Sequence, residues 1–574
     1  MTPFEWRAPL VACGLLAAAV QPAAAEVVFT GLDAAQEANA RALMVLGSAG
    51  CDTSVWRVER LFQDADDDLM EALQALGYYR ATFTKALAWT DECWQATFDV
   101  VPGEPVRYRS VDVRVAGDAY EGASLPFTLE GQPAVGEVLD HGRYERFKSS
   151  LLTRAGAFGY FDAYFSRREV VVDQDAGSAD LFLHLVPGSR YRFGEVTFTE
   201  DILREGLLRR YTDIREGEYY SATKVSELYD SLNSSGYFRT VSVRTDPIDE
   251  SGLTVPVDVL LTPALRRNYS VGAGFATDTG PQGRLGYLNR RRNDRGHQSE
   301  ARLFVSDTNI ELTGHYRWPV RNPKTDWASI SGGYQHQDTD TSESDTSKIG
   351  FYRTHALSRN WLWARYVDYA FERYSIADQD DISHLLILGA NLESVIGREI
   401  SRTIDGRRIN LDLRGASDAL VSDTSFLQFR ATARWIRSLN DRTRIITRGR
   451  AGFTIKDSLS ELPASVRFFT GGDRNLRGYD YQSIGPVDED GVVIGASYVL
   501  EGSLEFDYLV RGNWAVAAFA DIGSAFNDRP EFSRGVGLGL RWYSPVGPVR
   551  LDFAHPLDDP DSNFRLHVVL GPDL

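Results

Sequence analysis

Two periodicities divide this chain. Between about Val27 and Ala264 one order of events recurs three times: a helical stretch, a Gly-aromatic-aromatic stop, an alternating strand, a turn, and a second strand closing at a proline. The stops are Gly77-Tyr78-Tyr79, Gly159-Tyr160-Phe161 and Gly236-Tyr237-Phe238, and Pro102, Pro187 and Pro263 follow those glycines by 25, 28 and 27 residues. In the third unit Val225, Leu228, Tyr229 and Leu232 keep the i, i+3, i+4, i+7 spacing that lines one helix face. Ser221 is placed to cap that helix, and Gly236 to end it in left-handed backbone. Tyr144, Phe147 and Leu151 play the same part ahead of Gly159, and Val58, Leu61, Phe62, Leu69, Leu73 and Leu76 mark a longer helix ahead of Gly77. Strand alternation follows, with Leu181, Leu183 and Leu185 set against Phe182, His184 and Val186, and with Val255, Val257, Val259 and Leu261 in the third unit.

From Leu265 the helical spacing disappears, and short aromatic-rich strands broken by Asn, Asp, Gly and Pro take over. Tyr269, Val271, Ala273 and Phe275 fall on one face of the first, with Ser270, Gly272, Gly274 and Ala276 on the other. Leu312, Gly314, Tyr316 and Trp318 before Pro319 give another strand ending in aromatics. In the last, Phe564, Leu566, Val568 and Leu570 alternate with Asn563, Arg565 and His567, the pattern of a strand with lipid on one side and a wet lumen on the other. The 310 residues from Leu265 to Leu574 supply about 16 strands at ~9 to 11 residues per crossing. The expectation is α+β repeats followed by a transmembrane antiparallel β-barrel. After the N-terminal segment no apolar run approaches the ~20 residues of a membrane helix, so a chain that crosses a bilayer here crosses it as a closed barrel.

Arg7, the apolar run Pro9 to Val20 and Ala23-Ala24-Ala25 before Glu26 read as a secretory signal cleaved after Ala25. That address leaves Cys51 and Cys93 as an even pair in an oxidising compartment, open to a disulfide or to burial as two thiols. The formal net charge of -18 argues against a nucleic-acid partner, which calls for a clustered basic face. The nine histidines include no HExxH pair, and no nucleophile elbow or phosphate loop is present, so neither an enzyme, a metal nor a cofactor is expected.

One constellation remains. Gly472-Asp473-Arg474-Asn475-Leu476-Arg477-Gly478-Tyr479-Asp480 is a Gly-rich loop within the strand region. Downstream, Phe519-Ala520-Asp521-Ile522-Gly523 puts Phe519, Asp521 and Gly523 on one face, and Gly535 to Trp542 puts its glycines and Arg541 opposite Val536, Leu538, Leu540 and Trp542. Small residues on a lumen wall leave room for an inserted loop. Arg477, confined there, needs a carboxylate and finds one in Asp521, while Gly478 permits a tight turn and Tyr479 meets the wall.

These residues make the chain resemble the BamA-like superfamily of outer-membrane assembly and secretion barrels, whose lumen loop carries an Arg-Gly-Tyr motif facing a Phe-x-Asp-x-Gly wall. Ser544 to Pro556, with Arg550 and Asp552 on one face, is similar to the superfamily's C-terminal signature, and the three repeats resemble its polypeptide-transport-associated (POTRA) domains. Three repeats and the Gly571-Pro572-Asp573-Leu574 ending are most similar to the TamA branch, the barrel subunits of the translocation and assembly module. Two-partner secretion transporters have two repeats behind a plug helix, which is not evident here.

The resemblance implies a signal peptide at 1–25, POTRA domains at 26–106, 107–188 and 189–264, and an outer-membrane barrel at 265–574. It implies a factor that helps autotransporter-type barrels insert, with unfolded outer-membrane clients, a TamB-like periplasmic partner on the POTRA domains, and contact with outer-membrane lipids. A two-partner-secretion-type polypeptide transporter, or a barrel for lipid transport through the same partner, is the alternative role, and a diffusion channel the rival from another class. The expected gate is the seam between first and last strands, at Tyr269, Gly272 and Gly274 on one side and Phe564, Leu566, Val568 and Leu570 on the other.

Overall fold

The computed structural model describes residues 25–90, 93–115, 129–199, 202–246, 252–397, 402–456, 458–544, 547–559 and 564–570. The leader expected at 1–25, except Ala25, lies outside these residues, as do Pro545, Val546, Asn563 and the ending Gly571 to Leu574.

Each repeat is a helix layer on a three-stranded sheet. In the first, strand β1 (Glu26–Thr30) and helices α1 (Ala34–Leu43) and α2 (Val55–Ala75) precede the hairpin of β2 (Thr82–Trp89) and β3 (Trp94–Val101), in sheet order β1-β3-β2. Asp33 starts α1 by accepting the Gln36 N–H while the Gln36 side chain returns to the Asp33 N–H, so two backbone donors at the helix start are satisfied. Val58, Phe62, Leu69 and Leu73 of α2 are buried against Trp94, Ala96 and Phe98, the inward positions of β3. Cys51 and Cys93 are joined in a disulfide.

The second repeat runs β4 (Arg107–Val115), α3 (His141–Ala157), β5 (Tyr164–Asp173) and β6 (Ser178–Val186), with Tyr144, Phe147 and Leu151 packed on Leu181, Leu183 and Leu185. The third runs β7 (Arg192–Phe198), a single turn α4 (Glu205–Leu208), α5 (Ala222–Ser234), β8 (Phe238–Arg244) and β9 (Thr254–Pro263), in sheet order β7-β9-β8. Here one expectation fails: Leu228 and Leu232 are buried, but Tyr229 is 41% exposed. One residue on from Leu228 is ~100° further round the helix, which carries the ring off the core-facing stripe.

The three glycine stops have φ of +91°, +89° and +77°, at Gly77, Gly159 and Gly236. A Cβ on Gly77 would lie 2.5 Å from the Leu139 carbonyl. Each stop also receives the start of the next element: Val106 N–H donates to Gly77 O at 2.9 Å, Tyr191 N–H to Gly159 O at 2.8 Å, and Ala264 N–H to Tyr237 O at 2.8 Å. The recurring sequence motif is therefore a repeated joint.

Beyond the repeats, sixteen antiparallel strands, β10 (Arg267–Ala276) to β25 (Arg565–Leu570), close a barrel. Val271, Leu312, Leu388, Leu538 and Phe553 are exposed on its outside, while Asp368, Glu372, Gln428, Arg444 and Asp507 are buried on its inside. An apolar exterior around a polar interior is the inverse of a water-soluble sandwich and fits a bilayer. Elements of the third repeat meet the barrel turns: Arg204 pairs with Asp294, the Tyr237 hydroxyl donates to Gly296 O at 2.5 Å, and Lys324 pairs with Asp213 at 2.7 Å. That end of the barrel carries these third-repeat elements.

Candidate functional site: the lumen loop and the seam

The loop between β20 (Thr443–Lys456) and β21 (Tyr498–Arg511) folds into the lumen. Its tip needs left-handed backbone, with φ near +110° at Gly471, Gly472 and Gly478, and a Cβ on Gly478 would lie 3.1 Å from the Pro556 nitrogen. Room for the tip comes from β23 (Ser533–Ser544). There a side chain on Gly535 would collide with the Arg477 carbonyl, one on Gly537 with the Phe519 ring, and one on Gly539 with Asp552 and Arg541. Alternate glycines on one strand face thus carve the groove that the loop occupies.

Arg477 is 2% exposed at the centre of this groove. Its Nε donates to Asp521 Oδ2 at 2.7 Å and its Nη2 to Asp521 Oδ1 at 2.9 Å, a forked pair, while its own backbone N–H donates to Asp521 at 3.1 Å. Nη1 reaches Glu505 Oε2 at 2.7 Å and Asp552 Oδ2 at 3.2 Å. The guanidinium lies 3.4 Å over the Phe519 ring, a cation–π contact made stronger by desolvation. Arg541 bonds Glu505 at 2.9 Å and forms an ion pair with Asp552 at 2.6 Å, and Arg448 reaches Asp521 at 3.5 Å. Three arginines therefore face three carboxylates, which is how buried charge becomes tolerable.

Of the residues named from sequence, Arg477, Phe519 and Asp521 come together directly. Gly478 N–H donates to His567 Nε2 at 3.0 Å, and the Tyr479 hydroxyl to Arg534 O at 3.2 Å. Asp480 stays outside the buried cluster and pairs with Arg565 on β25. Gly523 lies beside Thr470 and Leu476 of the loop. Glu505, Ser503, Arg448 and His567 were not assigned to this cluster from sequence; the alternation of Glu501, Ser503, Glu505 and Asp507 with Leu504, Phe506 and Tyr508 along β21 was the available signal.

At the seam the described residues of the two strands share little pairing. β10 matches its other neighbour, β11 (Gly280–Asn289), over ten residues from Arg267↔Asn289 to Ala276↔Gly280, whereas β10 and β25 share the single pair Ala276↔Val569 among the described residues. Two further bonds support it: Thr277 N–H to Val568 O, and Val568 N–H to Thr277 Oγ1, each at 3.2 Å. Among the described residues these contacts lie at the end of β10 away from its start at Arg267. Tyr269 instead packs on Tyr287 at 5.3 Å, Gly272 lies beside Arg284, and Gly274 approaches Leu570 O. Phe564 precedes the last strand, which begins at Arg565, and its ring lies 5.0 Å from His555; Leu566 points outward.

Comparison with known proteins adds a lineage to this geometry. An Omp85 superfamily domain matches residues 324–573, the first POTRA domain of the TamA type matches 26–102, and a POTRA family described as a surface antigen variable number repeat matches 191–263. The chain is 25% identical over 383 residues to the outer membrane protein assembly factor BamA of Nitratidesulfovibrio vulgaris, covering 62% of this chain and 47% of that protein. It is 23% identical over 417 residues to BamA of Neorickettsia risticii, covering 66% of this chain and 54% of that one. The chain thus spans about half the length of these curated relatives. Among solved structures, BamA from Haemophilus ducreyi lacking POTRA domains 1–3 superposes with a TM-score of 0.64 at 16% identity, over 76% of this chain and 95% of the other, a likeness of fold.

Proposed function

We propose, for a chain that belongs to the Omp85 superfamily and carries POTRA domains ahead of its barrel, that it inserts client β-barrels of the autotransporter type through the seam between β10 and β25. The protein sits in the outer membrane of a Gram-negative bacterium with its POTRA domains in the periplasm. The observation that carries the reading is the contrast along β10 among the described residues, ten paired on one edge and one on the other. An edge of unpaired N–H and C=O groups in a bilayer is costly, and an incoming strand relieves that cost by adding to the ladder. The buried Arg477 cluster keeps the lumen filled and the wall rigid beside that weak edge, on the strands β21 to β24 next to β25, so opening is confined to the seam.

The domain borders that accompany this reading are 26–106, 107–188, 189–264 and 265–574, following a signal at 1–25. The POTRA domains hand over the client and hold a TamB-like periplasmic partner. Liposomes containing the full-length protein should speed the folding of a urea-denatured autotransporter barrel over empty liposomes, and should show no large steady single-channel conductance. Equal folding rates in both, or a stable porin-like current, would overturn the reading. Affinity capture on the full-length protein, compared with a form lacking 26–264, tests the periplasmic partner.

A further inference from the structure

Asp278 lies in the turn between β10 and β11, one residue past the threonine that helps close the seam. Its carboxylate accepts the Asp473 N–H of the lumen loop. A Cβ on Gly472 would lie 2.6 Å from the same oxygen, so the loop backbone rests directly on it. The other oxygen is 3.9 Å from Nδ1 of His567 on β25. Because His567 Nε2 accepts the Gly478 N–H, the proton of the neutral ring sits on Nδ1 and faces Asp278. First hairpin, last strand and lumen loop meet at this one side chain, and the loop is held at Asp473 and at Gly478, on either side of Arg477. The arginine cluster described above does not use Asp278.

The geometry points to Asp278 as a positioning residue that ties the seam to the lumen loop, so that parting Thr277 from Val568 also frees the loop at Asp473. The inference rests on the seam reading above. The charged and titratable groups that face Asp278 are Asp473, Asp480 and Tyr481 from the loop, and Arg565 and His567 from β25. Burial, and then the Asp473 carboxylate, push the Asp278 carboxyl from 3.8 up to about 6. A group whose affinity for protons is raised in the closed state stabilises that state at low pH. The contribution is complete below the ordinary carboxyl range and is lost as pH rises through about 6. Acidification therefore tightens the joint.

The test uses full-length protein in liposomes, with spin labels replacing the outward-facing Val271 and Leu566 and distances read by pulsed electron resonance at pH 5 and 7.5. Wild type is expected to show a larger closed fraction at pH 5. Asp278→Asn keeps the acceptor and removes the charge, so it should be closed at both pH values, raising the closed-to-open ratio at pH 7.5 by about tenfold or more. Asp278→Ala removes the acceptor and should be open at both. His567 stays in place in each variant, so loss of the pH response in Asp278→Asn assigns that response to Asp278. Heat-modifiable migration on a gel verifies that each barrel is folded; should Asp278→Ala not fold, Thr277→Val provides the opened joint and should retain the pH response. Asn and Ala variants that behave alike, a wild type indifferent to pH, or a Thr277→Val variant without pH response would overturn the inference. No client is present, so a seam that ignores Asp278 sinks this inference alone, whereas a seam under its control in a barrel that inserts no client sinks the insertion reading alone.

Discussion

Replacing Arg477 by alanine removes the forked pair to Asp521 and the bonds to Glu505 and Asp552, all in a site that excludes water. The three carboxylates are not left equally stranded. Arg541 still pairs with Glu505 and Asp552, but Asp521 keeps the backbone N–H of residue 477 and, as a cation, only Arg448, at 3.5 Å. The net result is about one uncompensated buried charge, which costs about 3–5 kcal/mol. That shifts the docking equilibrium of the loop by roughly two to four orders of magnitude toward release. Hydrogen exchange of residues 471–484 in membrane-embedded protein reads this directly, and should accelerate by that factor while the strands far from the loop stay protected. Arg477→Lys restores the charge without the fork and should recover only part of the protection. Exchanging the pair, Arg477→Asp with Asp521→Arg, should recover part of both docking and client insertion. A loop equally protected in wild type and Arg477→Ala would refute the account of the cluster.

Gly537→Ala should destabilise the barrel by about 1–3 kcal/mol, since its methyl group collides with the Phe519 ring and the Phe553 carbonyl; urea unfolding in liposomes measures it. Cys93→Ser opens a disulfide that spans 42 residues and should cost the first repeat about 2–5 kcal/mol, seen as faster proteolysis there with the barrel band unchanged. Tyr237→Phe deletes the bond to Gly296 O and should cost about 0.5–1.5 kcal/mol, with earlier exchange at the turn between β11 and the strand that follows it.

Legibility varied with the kind of signal. The repeats were readable because a glycine that must take left-handed backbone, followed by two aromatics, recurs at nearly constant spacing, and the joints at Gly77, Gly159 and Gly236 sit there. Strand faces were readable because alternation fixes which side meets lipid, as at Val271 and Leu566. Tyr229 misled because four apolar residues at helical spacing describe a wider stripe than the two buried leucines need. Glu505 and His567 escaped because a lone charge on an alternating strand looks the same whether it meets water or a buried arginine. Only the fold brings β21, β25 and the loop together. The contacts at Ala276 and Thr277 were equally hidden, because nothing in a turn sequence announces a bond to Val568 and Val569 hundreds of residues away.

The central claim, that this seam opens to admit a client strand, is tested most directly by cysteines at the facing pair Ala276 and Val569. In liposomes holding the full-length protein, oxidation to a verified disulfide should abolish client insertion, and reduction should restore it to the rate of the uncrosslinked barrel. Insertion at an undiminished rate through a fully crosslinked seam would contradict the account.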